Sequence, residues 1–234
     1  MIRLFTDVSF EKNKKVVLTA PQEHYLTHVM RQKEGDKIIC FNGRDGDWEG
    51  LLSKQKKECF LLLQKQVSVQ QKREENVLCL ALIKREPLAF ALQKATELGV
   101  TEIRLIQADR SNNERVNMER LKMIVVEACE QCERNDIPCL FAPESLSKVM
   151  DSLAGKRQLI WLAERSETKG KHTDLPPAFF IGPEGGWSTP EQDLFQEKGA
   201  FSWHLGNTIL RAETAALTAV ALWQYRGEIK KLAI

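Results

Sequence analysis

The chain has no run of about 18 apolar residues, which argues against a membrane-spanning helix. Its start, Met1-Ile2-Arg3-Leu4-Phe5-Thr6-Asp7, lacks the apolar stretch of a secretory signal, so a cytoplasmic location is expected. Cys129-Glu130-Gln131-Cys132 is a C-x-x-C without a second such pair to complete a zinc site, and no metal is expected. A thioredoxin-like motif opens a helix just after a strand, whereas this pair falls late in a predicted helix. Cys40, Cys59 and Cys79 sit singly in apolar runs and read as small buried hydrophobes of a reducing compartment. No Gly-Lys-Ser/Thr closes a Walker A loop. The predicted strand 77–83 runs into Lys84-Arg85-Glu86-Pro87 without a glycine, which argues against a Rossmann-type nucleotide or methyltransferase fingerprint. A net charge of +2 does not by itself announce a nucleic-acid binder. Its distribution says more: residues 1–75 carry 14 Lys/Arg against 11 Asp/Glu, and the remainder 20 against 21. A basic N-terminal part fits a surface for phosphate backbone, and solvated lysines fit it equally well.

What is present is a globular chain of 234 residues, 43% hydrophobic and 28% charged, long enough for one or two domains. Residues 1 to about 72 read as mainly β, with short stretches such as 37–41 and 59–63 split by the turn dipeptides Asn42-Gly43 and Asp45-Gly46. A short helix is predicted over 24–31. The stretch 64–76 is polar, without Gly or Pro, and the domain boundary is placed at its end, giving domains 1–73 and 74–234. From Val77 the texture changes to alternating strand and helix. Strands are predicted at 77–83, 103–106, 138–141, 159–162, 178–181 and 201–203. Leu88, Leu92, Ala95 and Leu98 mark one helix, ended by Gly99, and Met118, Leu121, Ile124, Val125, Ala128 and Cys132 mark another. Thr189, Pro190 and Gln192 suggest an N-cap, first helical position and capping box. The last helix, 212–224, is apolar on nearly all sides and needs burial in the fold or against a partner. The expected class is α/β with a mostly parallel sheet.

Two segments carry candidate chemistry. Ile181-Gly182-Pro183-Glu184-Gly185-Gly186-Trp187-Ser188 follows a predicted strand and precedes a helix, and its glycines let backbone approach a ligand closely. Leu205-Gly206-Asn207-Thr208-Ile209-Leu210-Arg211-Ala212-Glu213-Thr214-Ala215 joins the last strand to the apolar helix and places a lone Arg and Glu at its head. Each alone is compatible with a plain strand–helix connection. Together, both beyond strand ends, they favour a binding site.

The pair Gly182-Pro183-Glu184-Gly185-Gly186 and Leu205-Gly206-x-x-Ile209-Leu210-Arg211-x-Glu213-Thr214-Ala215 resembles the paired signature of the RsmE family, the bacterial 16S rRNA uridine-N3 methyltransferases. Lys94-Ala95-Thr96-Glu97-Leu98-Gly99-Val100 with Arg110-Ser111, Glu130-Gln131-Cys132-x-Arg134 with Ile137-Pro138, and His24-Tyr25-Leu26 through Val29-Met30-Arg31 are similar to that family too, so the resemblance runs along the whole chain. Thr208 stands where many relatives have a basic residue.

The resemblance implies an N-terminal PUA-like β-barrel and a SPOUT domain with a deep trefoil knot. It also implies a homodimer with the cofactor pocket at the subunit interface. The reaction it implies is S-adenosylmethionine-dependent methylation of N3 of a specific uridine in 16S rRNA, with the assembled small ribosomal subunit as substrate. Methylation of another RNA, or a non-enzymatic RNA-binding role in ribosome assembly, are the alternatives. On this reading Leu162, Gly182, Pro183, Glu184, Gly185, Leu205, Gly206, Ile209, Leu210, Thr214 and Ala215 hold the cofactor. Arg211 stabilises the uridine anion or a phosphate, and Glu213 caps its helix, orients Arg211 or moves a proton. Arg31, Lys33, Arg44, Arg110 and Arg134 are the RNA-docking candidates. His24 reads as packed, His204 as structural, and Trp187 as a base-stacking residue or a lid over the glycine loop.

Overall fold

The computed structural model describes residues 1–56, 58–112, 115–163 and 173–232. They form two compact units, Met1–Lys72 with Cys129–Ile137, and Arg73–Ala128 with Pro138–Ile234.

The first unit is a five-stranded sheet in the order β1 (Arg3–Phe5), β3 (Lys37–Phe41), β4 (Asp47–Gln55), β5 (Glu58–Ser68), β2 (Lys15–Val17). β1 pairs parallel to β3 and the other pairs are antiparallel. Register shifts at Asp47/Trp48 and Glu49/Gly50 bend the long β4–β5 ribbon. Leu4, Val16, Leu26, Ile38, Cys40, Leu61 and Leu63 form its core. The predicted turn 42–46 is built as its residues demand. Gly43 and Gly46 take φ of 79° and 73°. A Cβ on Gly46 would stand 2.2 Å from the Ser68 carbonyl oxygen, so only glycine fits there. Asp45 accepts from the Asn42 side chain and the Phe10 N–H, which hold its carboxyl below the usual range. Burial pushes the Cys40 thiol up to about 12, in keeping with an inert core cysteine.

One expectation for this unit is corrected. The helix predicted at 24–31 starts earlier, as α1 (Ala20–His24), because Thr19 and Gln22 form a capping box with Pro21 in the first turn. A π-helical turn, Tyr25–Val29, follows it. β5 runs into the polar stretch, as far as Ser68, on cross-strand hydrogen bonds that its polar side chains do not oppose. The segment 129–137 joins this unit. Asn135 bonds the Ser68 hydroxyl and the Val69 carbonyl, and the Glu130 carboxylate accepts from the Phe5 N–H.

The second unit is a six-stranded, all-parallel sheet in the order β11 (Phe201–Trp203), β9 (Gln158–Leu162), β10 (Pro177–Ile181), β6 (Val77–Ala81), β7 (Glu102–Gln107), β8 (Cys139–Ser145). Val77–Ala81 and Pro177–Ile181 are buried at every position, as continuous apolar runs in the middle of a parallel sheet should be. β8 is an edge strand and so tolerates Pro143. The helices are α2 (Arg85–Glu97), α3 (Met118–Gln131), α4 (Leu146–Leu153), α5 (Thr189–Glu197), α6 (Ala212–Gln224) and α7 (Arg226–Leu232). The reading of the sequence missed α4, whose signal was present: Ser145 caps it, and Leu146, Val149, Met150 and Leu153 bury one face at helical spacing. α5 starts one residue earlier than predicted, at Thr189. Ser188 is the N-cap and Glu191 completes the box, not Thr189 and Gln192. Both four-residue patterns satisfy the local rule; the second contact that Glu191 makes, described below, selects the earlier one. Among the described residues no helix is long and apolar enough to cross a membrane.

Candidate functional site

Beyond the carboxyl ends of β9, β10 and β11, the connections 182–188 and 204–211 face one another across a cavity of about 860 Å³. That size lies within the roughly 300–1,000 Å³ of small-molecule sites. Of the predicted cofactor residues, Leu162, Gly182, Pro183, Glu184, Gly185, Leu205, Gly206, Ile209, Leu210 and Ala215 line it, as do Arg211 and Glu213. Thr214 does not: it is exposed, and only its carbonyl is engaged, by the Thr218 hydroxyl. The physical reason is helical rotation, which turns the third residue of α6 away from the wall that Ala212 and Ala215 supply.

The glycine loop rests on an aromatic floor. Trp187 is 5% exposed and meets Phe195 edge to face at 5.0 Å, while Trp161 stacks on the same Phe195 at 5.0 Å. Its burial corrects the expectation of a base-stacking residue or lid, because a side chain only 5% exposed is committed to packing although it borders the cavity. A Cβ at Gly182 would lie 3.1–3.3 Å from the Trp187 ring, which explains a glycine here. The Trp187 N–H has no partner among the described residues.

The loop is also tied from the side. The Glu191 carboxylate, buried on α5, accepts from the N–H of Ser188 at 2.8 Å and of Asp109 at 2.9 Å. The Ser188 hydroxyl donates to the Asp109 carboxylate. Arg110 Nη1 donates to the Gly185 carbonyl at 2.8 Å, and its aliphatic stem packs where a Gly185 side chain would be. The Lys84 N–H donates to Glu184 Oε1 at 3.3 Å at the head of α2. Asp109, Ser188 and Glu191 were missed in the sequence because the contact between 109 and 191 is non-local; only the S-x-x-E pattern hinted at it. Glu191→Ala leaves a buried N–H unpaired and should lower the unfolding free energy by about 1–3 kcal/mol. Urea denaturation checks this, with Glu191→Gln expected to recover part of the loss.

Arg211 is the N-cap of α6, with extended backbone (φ −65°, ψ 155°) and an exposed side chain. Among the described residues its guanidinium has no hydrogen-bond or ion-pair partner, and neither has the Glu213 carboxylate. Glu213 lies in the first turn of α6, where the helix dipole favours a negative charge. His204 lines the cavity as well.

The RNA-docking candidates separate. Arg31 and Lys33 are exposed. Arg44 forms an open ion pair with Asp7 at 3.1 Å, worth at most about 1 kcal/mol and easily exchanged. Arg110 is committed to Gly185. Arg134 is a correction: its side chain is 1% exposed and paired with Asp136, so it is a buried structural cation and not a docking residue. His24 is also corrected, being exposed and not packed.

In this parallel α/β sheet the late glycine loop and the late helix head build one cavity, and the comparisons with known proteins name the class. A model of the RNA methyltransferase domain matches residues 70–224, and a model of the RNA methyltransferase PUA domain matches residues 18–64. The ribosomal RNA small subunit methyltransferase E of Rickettsia conorii is 31% identical over 232 residues, covering 94% of this chain and 93% of that protein. The protein of that name from Synechocystis is 34% identical over 217 residues, covering 88% and 71%. A Legionella pneumophila protein solved in complex with the bound cofactor S-adenosylmethionine superposes with a TM-score of 0.84 at 28% identity, covering 96% of this chain and 97% of that one. The chain belongs to the ribosomal RNA small subunit methyltransferase E family.

Proposed function

We propose that this protein methylates N3 of one uridine of 16S rRNA on the small ribosomal subunit, with S-adenosylmethionine as donor. The observation that carries the reading is the convergence of both family motifs on one cavity with an unpaired Arg211 in its wall. The residues present fit the cofactor. Leu162, Leu205, Ile209 and Leu210 give apolar walls for a purine, and the loops 182–185 and 205–206 bring backbone groups to the cavity, with open space where a side chain at Gly206 would stand and the Trp187 ring and Arg110 stem where ones at Gly182 and Gly185 would. S-adenosylmethionine supplies the electrophilic methyl group and its leaving group. The protein's own task is to orient the uridine and favour loss of its N3 proton, which places negative charge on the base. Arg211 meets that charge. Glu213, in the first turn of the same helix, is the candidate to orient Arg211 once substrate is bound.

We assign the deep trefoil knot and the homodimer of the family to this chain too. Supporting the dimer, Phe90 on α2, Leu222 on α6, and Tyr225 and Ile229 beyond it are 38–47% exposed, an apolar surface that a second copy would cover. Arg31, Lys33 and Arg44 remain the RNA-docking residues proposed for the N-terminal unit.

Purified protein, labelled S-adenosylmethionine and small subunits lacking the modification test the activity. Incorporation at one uridine, seen as a reverse-transcription stop because N3-methyl blocks the pairing edge, is the expected result. No incorporation and no cofactor binding by calorimetry would leave an RNA-binding assembly factor.

A further inference from the structure

The surface of α1 and the π turn presents side chains that the fold does not use. Leu26, fully buried, is the anchor of this segment in the core. His24 and His28, four residues apart, are both exposed, yet their rings lie stacked with centroids 4.8 Å apart and planes within 16°. The stack is positioned. The Thr27 hydroxyl donates to the Glu23 carbonyl at 2.7 Å, so its oxygen accepts from His28 Nδ1 at 2.8 Å, and neutral His28 keeps Nε2 as an outward acceptor. The segment is irregular twice over. It contains a π turn, a feature that clusters at functional sites, and it ends at Arg31 with φ of 54°, a left-handed conformation that costs a non-glycine residue. The chain that follows the rings carries exposed Val29, Met30, Arg31 and Lys33.

Flat exposed rings, an outward ring nitrogen and adjacent cations match the chemistry of an unpaired nucleotide: a π-face to stack, a base edge to hydrogen-bond and a phosphate to neutralise. We propose that the His24–His28 stack, with Arg31, binds an unpaired base of the substrate RNA and its adjoining phosphate. The inference rests on the rRNA reading above and extends it to a specific nucleotide-binding site outside the methyl-transfer cavity. The base continues the imidazole stack, and Arg31 takes the phosphate.

The test compares full-length wild type with His24→Ala/His28→Ala, His24→Phe/His28→Phe and Arg31→Ala. Binding of a fluorescein-labelled single-stranded 16S rRNA fragment is read by anisotropy, and KM for unmodified small subunits by methyl incorporation. The double Ala variant should bind about 5- to 100-fold more weakly, the range of one lost stacking contact. Its melting temperature and its affinity for S-adenosylmethionine should match wild type, and the double Phe variant should recover most of the RNA affinity. RNA affinity and KM within twofold of wild type in the double Ala variant would overturn the proposal. So would unchanged RNA affinity in a protein whose histidine pair binds zinc(II) in calorimetry, since that spacing also suits a metal. If wild type transfers no methyl group, the activity reading fails, and the anisotropy arm still decides this site.

Discussion

Arg211→Ala should lower the rate of methyl transfer about 100- to 1,000-fold, with S-adenosylmethionine affinity changed only a few-fold. Arg211 sits on extended backbone at the head of α6, with its guanidinium in the cavity wall and no partner among the described residues. A cation left unpaired beside the reaction centre is available for the charge that develops on the uridine when its N3 proton leaves. Removing it withdraws stabilisation that exists mainly in the transition state, so the loss falls on turnover more than on cofactor binding. Arg211→Lys keeps the charge without the planar fork and should fall between the two. Single-turnover incorporation into unmodified subunits is the measurement. A rate within threefold of wild type for Arg211→Ala would remove this residue from the chemistry and shift attention to Glu184 and Glu213.

Phe195→Ala should destabilise the C-terminal unit by about 3–5 kcal/mol and weaken cofactor binding although Phe195 does not line the cavity. Its ring is fully buried, stacked on Trp161 at 5.0 Å and edge to face with Trp187 at 5.0 Å and Phe180 at 5.4 Å. The void left would lie directly beneath Trp187, which abuts Gly182. A floor that can sink lets the glycine loop move, and backbone donors displaced by a fraction of an ångström bind less well. Guanidinium denaturation followed by tryptophan fluorescence reports the first effect and calorimetry with S-adenosylmethionine the second. Lost stability with unchanged affinity would show that the loop is held from the side, through Glu191 and Arg110, and not from below.

The predicted strands in the C-terminal half appear within a few residues of their expected ends, because runs such as 77–81 and 178–181 are buried on both faces and carry their apolar signal in every residue. The start of α5 was legible to within one residue, where competing S-x-x-E and T-x-x-Q patterns overlapped at 188–192, whereas α1 starts four residues before its predicted start and α4 went unread. Ten of the eleven proposed cofactor residues reach the cavity wall, eight of them because they sit on the connections 182–185 and 205–210 at strand ends, which local sequence marks with glycine.

What the sequence determined by itself was whatever depends on neighbours along the chain: the parallel α/β texture, the turn at 42–46, the glycine loop, the lone Arg211 at a helix head, and the family those motifs define. Tertiary structure alone decided the fate of individual polar side chains. Arg134 and Arg31 look alike as residues, yet one is buried against Asp136 and the other stands in solvent on left-handed backbone. Glu191 and Asp109 are 82 positions apart and acquire their role only when β7 and α5 bring them together. Burial and non-local hydrogen bonding are set by which elements pack, and no window of sequence contains that information.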